Sequence, residues 1–127
     1  MAAGQGLAEA QFLIGAVISE KVKTLKNEEL HMKDALLEAA MGWYRKAAAQ
    51  GYASAQFTLG RLFEKGLGVS SNKEMAYMWY KLGAENGSTL GTKRREKIEE
   101  EMTSEQVAKA EELAQECMKK NYKGCGS

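Results

Sequence analysis

The sequence predicts an all-α fold: a right-handed α-α superhelix, built as a short solenoid of antiparallel helical hairpins with about two repeats and a C-terminal capping hairpin. Three observations predict it. Trp43-Tyr44-Arg45 returns as Trp79-Tyr80-Lys81 thirty-six residues later, and at the same offset Ala48-Ala49-Gln50-Gly51 is answered by Ala84-Glu85-Asn86-Gly87. Ala8-Glu9-Ala10-Gln11-Phe12 and Ile14-Gly15 recur as Ala53-Ser54-Ala55-Gln56-Phe57 and Leu59-Gly60, forty-five residues apart. Self-similarity at a fixed period of roughly 20–50 residues marks a stack of hairpins. Proline is absent from all 127 residues, which suits helices joined by glycine-bearing turns, since a proline inside a helix costs about 3 kcal/mol.

The length makes one domain, 1–127, divided into an extended first repeat (7–51), a complete repeat (52–87) and capping helices with a tail (88–127). A net charge of +1 gives no bulk electrostatic case for nucleic acid, an acidic membrane surface or a polyanionic substrate. No apolar run approaches the roughly 18 residues that span a bilayer, so membrane insertion is not expected. Met1 to Gly6 has neither the positive n-region nor the apolar h-region of a secretory signal. The chain opens inside a repeat, so an earlier helix or export signal is expected to have been trimmed from it.

Residues 7–25 form the first predicted helix, with Phe12, Ile14, Ile18, Val22 and Leu25 at helical spacing. The second is expected to start after Asn27, as N-cap, with Glu28 and Glu29 near the positive end of the dipole; Leu30, Leu37, Met41 and Tyr44 fall on one face. This hairpin is nine residues longer than the next and lacks its Gly-Leu-Gly turn. Because the apolar spacing continues through the insertion, extra helical turns on both arms and a projecting tip are expected. Residues 52–65 make the next first arm, with Ala55, Gln56, Leu59, Leu62 and Phe63 turned toward its partner and small Gly60 and Ala53 accommodating Trp79 and Tyr80. Gly66-Leu67-Gly68-Val69 ends that helix, Ser71 with Glu74 reads as a capping box, and Met75, Ala76, Trp79, Tyr80, Gly83 and Ala84 give the packing face of the second arm. After Gly87 the pattern decays. Leu90, Ile98 and Met102 mark a thin apolar stripe, and a second capping box, Thr103 with Gln106, opens a last helix whose face is Val107, Ala110, Leu113, Ala114 and Cys117. A polar final unit suits the end of an open stack.

These residues resemble the Sel-one-like repeat family, relatives of the tetratricopeptide repeats. The middle unit carries Ala55-Gln56, Leu59-Gly60, Gly66-x-Gly68-Val69, Ala76, Trp79-Tyr80-Lys81, Ala84 and Gly87; the first keeps Ala10-Gln11, Gly15 and Trp43 to Ala48. It departs from the pattern at the glycine turn and the insertion, while Met102-Thr103-x-Glu105-Gln106-Val107-Ala108 resembles the closing segment of many bacterial members. The resemblance implies an interaction scaffold. It also implies a disulfide between Cys117 and Cys125, whose spacing is similar to that of Cys-x7-Cys pairs in the exported, cysteine-rich branch. Such a bridge requires the chain to reverse, because eight residues of continuous helix span about 12 Å and a disulfide needs a Cα separation of about 4.4–6.8 Å. Asn121 and Gly124 tolerate that turn. The other reading is two unrelated thiols. A bridge implies an oxidising compartment, periplasmic or otherwise exported, as against a cytoplasmic location.

No constellation supports catalysis, a metal or a cofactor. His31, the one histidine, reads as a solvated helical residue without an orienting partner for a Cys-His dyad. Two cysteines and a distant histidine make a poor zinc set. Gly66 to Ser71 follows a helix and lacks the Gly-Lys-Ser/Thr ending of a phosphate loop, so it reads as a turn. Lys93-Arg94-Arg95-Glu96-Lys97, followed by Glu99-Glu100-Glu101, reads as a solvated helix with i,i+4 ion pairs.

Function is therefore expected on a surface. The first arms of such a stack line its concave face. Ser54, Phe57, Arg61 and Glu64 should face it from the second unit, and Glu9, Phe12, Ala16 and Ser19 from the first. Phe12 and Phe57 would be apolar anchors, with Glu9, Arg61 and Glu64 adding polar specificity; alternatively both phenylalanines pack between hairpins. The expected partner is another protein or peptide, bound by a non-catalytic adaptor. The alternative is an immunity or inhibitor protein that uses the projecting hairpin at residues 19–34 to plug an enzyme's cleft.

Overall fold

The computed structural model describes residues 3–125. It contains α1 (Ala3–Lys23), a 3-10 turn (Asn27–Met32), α2 (Lys33–Ala48), α3 (Ala53–Lys65), α4 (Lys73–Glu85), α5 (Thr89–Glu99) and α6 (Ser104–Lys119), with no strand among the described residues. The helices form a repeat solenoid: α1 pairs with α2, α3 with α4, and α3 stacks on α2. The last two helices both lie against α4 and make little contact with each other.

The insertion lengthens both arms, as the continuing apolar spacing predicts: α1 has 21 residues and α2 has 16, against 13 each for α3 and α4. It also adds a short 3-10 segment, and this shifts the expected boundaries. α1 stops at Lys23, short of Leu25, and Asn27 is the first residue of the 3-10 turn instead of a cap. The turn is closed by the Lys26 N–H donating to the Glu29 carboxylate at 3.1 Å. Leu30, expected on the packing face, is exposed because the tighter 3-10 winding takes it off the α2 stripe.

The turn between α3 and α4 is set by two glycines. Gly66 caps α3 in the left-handed conformation, and Gly68, at φ +79°, passes so close to α2 that a Cβ there would stand 3.2 Å from the backbone oxygen of Leu37. The cap of α4 is Asn72, whose side-chain oxygen accepts from the Met75 N–H at 3.0 Å. Ser71, expected in that role, instead donates its hydroxyl to the Glu64 carbonyl at 3.1 Å and ties the turn to α3. At α6 the Thr103–Gln106 capping box forms as expected.

The core is one cluster, formed by Met41 and Tyr44 of α2, Leu59 and Phe63 of α3, Tyr77 to Tyr80 and Leu82 of α4, and Ile98, Ala110, Ala114 and Cys117 beyond. Gln56 is the one buried polar residue among the described residues; its amide donates to the Ala48 carbonyl at 3.1 Å and accepts from the Asn86 amide at 2.9 Å, joining α2, α3 and the cap of α4. Ile14 corrects the sequence reading. It is 40% exposed and Val17 is 69% exposed, whereas their repeat counterparts Leu59 and Leu62 are 0% and 8% exposed. α3 is packed by both α2 and α4, whereas among the described helices α1 packs chiefly on α2.

Candidate functional site: the cleft between the first arms

The two units build the same local arrangement. Phe12 lies 5.6 Å from the Tyr44 ring and Phe57 lies 5.6 Å from the Tyr80 ring, centroid to centroid. Beneath each tyrosine is a glycine, Gly15 or Gly60, where a Cβ would stand 2.7 Å or 2.5 Å from a ring carbon. Each tyrosine hydroxyl then reaches one helical turn further along the first arm. Tyr44 shares a 2.9 Å hydrogen bond with Ser19, and Tyr80 donates to the Glu64 carboxylate. Burial, then this bond to Glu64, pushes the Tyr80 phenol well above its ordinary range.

Above Tyr44 opens a cleft of about 400 Å³. Its walls come from α1 (Ser19, Val22, Lys23) and α3 (Arg61, Leu62, Lys65), its floor from Leu37 and Tyr44 of α2, and Leu67 of the glycine turn closes one side. Lys33, at the start of α2, completes the rim. Four cationic side chains thus line the cleft against one carboxylate, Glu20, which pairs with Lys23 at 3.1 Å. Among the described residues Lys33, Arg61 and Lys65 have no ion pair, and the buried Nε of Arg61 makes no hydrogen bond.

Of the residues expected on the concave face, Ala16, Ser19 and Arg61 line this cleft, and of those given a binding role only Arg61 does. Glu64 sits one turn further along α3 with its carboxylate engaged by Tyr80, and Glu9 is exposed near the start of α1. Phe12 and Phe57 are half-buried, Phe12 also packing 5.5 Å from Tyr52. Lys23 and Lys65 were missed, although each lies four residues after a position assigned to that face, Ser19 and Arg61. Lys33 had no such signal, because its place depends on the 3-10 turn before it.

Cys117 and Cys125 form a disulfide, with an S–S distance of 2.03 Å and a Cα separation of 5.5 Å. The chain reverses through Asn121, Tyr122 and Gly124, all at positive φ, as the requirement for a turn anticipated at Asn121 and Gly124. His31 is exposed on the 3-10 turn, and no cluster of three or more His, Cys, Asp or Glu side chains among the described residues could hold a metal ion. Among the described residues no helix is long and apolar enough to cross a membrane.

The Sel1 repeat profile matches residues 33–52 and 53–88, the second span being the α3–α4 hairpin with its turns. The chain is a Sel1-like repeat helical protein. No curated protein matches it at a significant level. Among solved structures it is similar to a protective antigen present in uropathogenic Escherichia coli strains, described as displaying an SLR fold, at 30% identity and a TM-score of 0.75 over 94% of this chain and 25% of that one. It is also similar to a Sel1 repeat protein from Oxalobacter formigenes, at 38% identity and a TM-score of 0.57 over 69% of this chain and 32% of the other. The chain thus spans about a quarter and about a third of the lengths of these Sel1-repeat relatives. Sel1 repeats generally mediate protein–protein interaction and typically act as non-catalytic scaffolds.

Proposed function

We propose that this Sel1-repeat chain is a non-catalytic adaptor that binds a protein or peptide partner on the concave face formed by α1 and α3. The observation that carries the reading is the open cleft over Tyr44, walled by both first arms and lined by Arg61, whose buried Nε lacks a hydrogen-bond partner among the described residues. Phe12 and Phe57 border this face as apolar ground, while Glu9 and Glu64 give it an acidic side. The disulfide supports a working place in an oxidising compartment, periplasmic or otherwise exported.

Affinity capture from a native envelope extract tests this, with Arg61→Ala compared against the unaltered chain and the fold of each checked by its melting curve. One stoichiometric protein that is captured by the chain and lost with a folded Arg61→Ala variant is the expected result. A partner held equally by the variant overturns the concave-face assignment. Exposed Leu30 and Met32 on the 3-10 turn favour one second reading, an immunity or inhibitor protein that inserts this tip into an enzyme's cleft. Replacing residues 25–32 with a short glycine linker abolishes inhibition on that reading and leaves capture by a groove-binding adaptor intact.

A further inference from the structure

We propose that the cleft between α1 and α3 takes an extended acidic peptide segment, one apolar side chain seated over Leu37, Tyr44 and Leu62 and its carboxylates met by Lys33, Arg61 and Lys65. The inference rests on the concave-face reading and adds the chemistry of the partner. The charge at this spot is not that of the whole chain: a molecule with a net charge of +1 gathers four cations on one cleft and gives them a single carboxylate. That carboxylate is taken by Lys23, so the other three cations face the opening without a counter-charge from the described residues. Like charges gathered on one open cleft repel one another, and an anionic ligand relieves the repulsion.

The floor decides what kind of anion fits. Leu37, Tyr44 and Leu62, each less than a tenth exposed, show the cleft only small apolar patches, which can touch one aliphatic side chain but leave too little of the Tyr44 ring to stack a base. A cleft of about 400 Å³ holds one or two side chains and no folded domain. Carboxylates flanking an aliphatic residue match this distribution, whereas a phosphate polymer leaves the floor unfilled.

Fluorescence anisotropy with the purified full chain and a labelled peptide, in which glutamates flank a leucine, provides the test. Saturable binding is expected, weakening as ionic strength rises from about 0.01 to about 0.15 M and the screening length falls from about 30 to about 8 Å. Lys33→Glu/Lys65→Glu should reduce affinity roughly tenfold or more. Both positions are exposed, so the fold is retained, and Lys93→Glu/Lys97→Glu on α5 serves as a charge-matched control with no effect. Arg61→Met, read on the same peptide, provides a second variant. Unchanged affinity in the cleft variants, equal binding of a peptide with lysines for glutamates, or equal binding of a single-stranded oligonucleotide overturns the proposal. If the acidic peptide does not bind while a protein is still captured through Arg61, the chemistry assigned to the partner is wrong and the concave-face reading survives.

Discussion

Gly15 and Gly60 occupy helix interiors, where glycine is about 0.8–1 kcal/mol worse than alanine, so each needs a reason to be there. The reason is the tyrosine above it. A methyl group at Gly60 would stand 2.5 Å from Tyr80, a ring that is fully buried and pinned by Phe57 on one side and Glu64 at its hydroxyl. Overpacking of that kind costs about 1–3 kcal/mol and outweighs the helical gain. Gly42 is the contrast, since a Cβ there meets nothing within 4 Å. Denaturant unfolding should therefore show Gly60→Ala destabilised and Gly42→Ala stabilised by about 0.5–1 kcal/mol. The same sign for both would show that the Tyr80 contact does not govern the choice. Tyr77 makes a second residue-level case. Burial first, and then its 2.6 Å bond to Glu111, push its phenol from 10.0 to about 12. Folding favours the protonated phenol, so its contribution is complete below pH 10 and is lost as pH rises toward about 12. Stability should fall over that window in parallel with tyrosinate absorbance, and Tyr77→Phe should shallow the decline. For Glu111, burial alone would raise the carboxyl, but hydrogen bonds from Tyr77 and Lys81 outweigh it and hold the group below its usual range.

At the scale of elements, the disulfide holds a turn and through it a cross-brace. Between the linked cysteines, Tyr122 sits at φ 67°, a conformation unfavourable for a side-chain-bearing residue, with its hydroxyl 3.2 Å from the Asn86 amide and its ring 3.5 Å from where a Cβ of Gly51 would be. The short tail thereby touches both inter-repeat turns. Reduction, or Cys125→Ala, should cost about 2 kcal/mol, read as a fall in Tm on the order of 5–10 °C with little loss of helical signal. An unchanged Tm would mean that Tyr122 holds the turn without the bridge. The sequence made the helices legible because each apolar face repeats with the unit, and Gly60 opposite the Trp79-Tyr80 pair could be read in the same way. Caps were less legible. Ser71 and Asn72 are both good cap residues, and which one caps depends on the path of the Gly66–Gly68 turn over Leu37, a tertiary contact. The cleft was legible through Ala16, Ser19 and Arg61; its other cations come from helix ends, two of which, at Lys23 of α1 and Lys33 of α2, the insertion displaces.

For the whole molecule, stability in a stacked fold is close to a sum of hairpin terms and interface terms, so its parts are unequally dispensable. α4 illustrates the inequality: five consecutive residues, Ala76 to Tyr80, are buried, because α3, α5 and α6 surround it. A helix buried on so much of its circumference has no solvent-ready face. The polar contacts follow the same plan. Lys81 and Tyr77 of α4 reach Glu111 of α6 at 3.0 and 2.6 Å, and Arg95 of α5 lies over the Tyr77 ring and pairs with Glu99 at 3.2 Å. Truncation after Gly87 removes Ile98, Ala110, Ala114 and Cys117 from the core and leaves Tyr77 and Met78 in water. With total stabilities of about 5–15 kcal/mol for natural domains, a loss of several fully buried side chains at about 1.5–3 kcal/mol each exceeds what two hairpins can absorb. Calorimetry should find no cooperative transition in the 1–87 fragment, and a hydrophobic dye should bind it. The glycine-linker replacement of residues 25–32 removes a far shorter stretch with no buried side chain, and should melt within a few degrees of the intact protein. If both deletions melt alike, the hairpins are independent and the packing of α5 and α6 on α4 adds nothing; if only the truncation collapses, the stack is held from its C-terminal side.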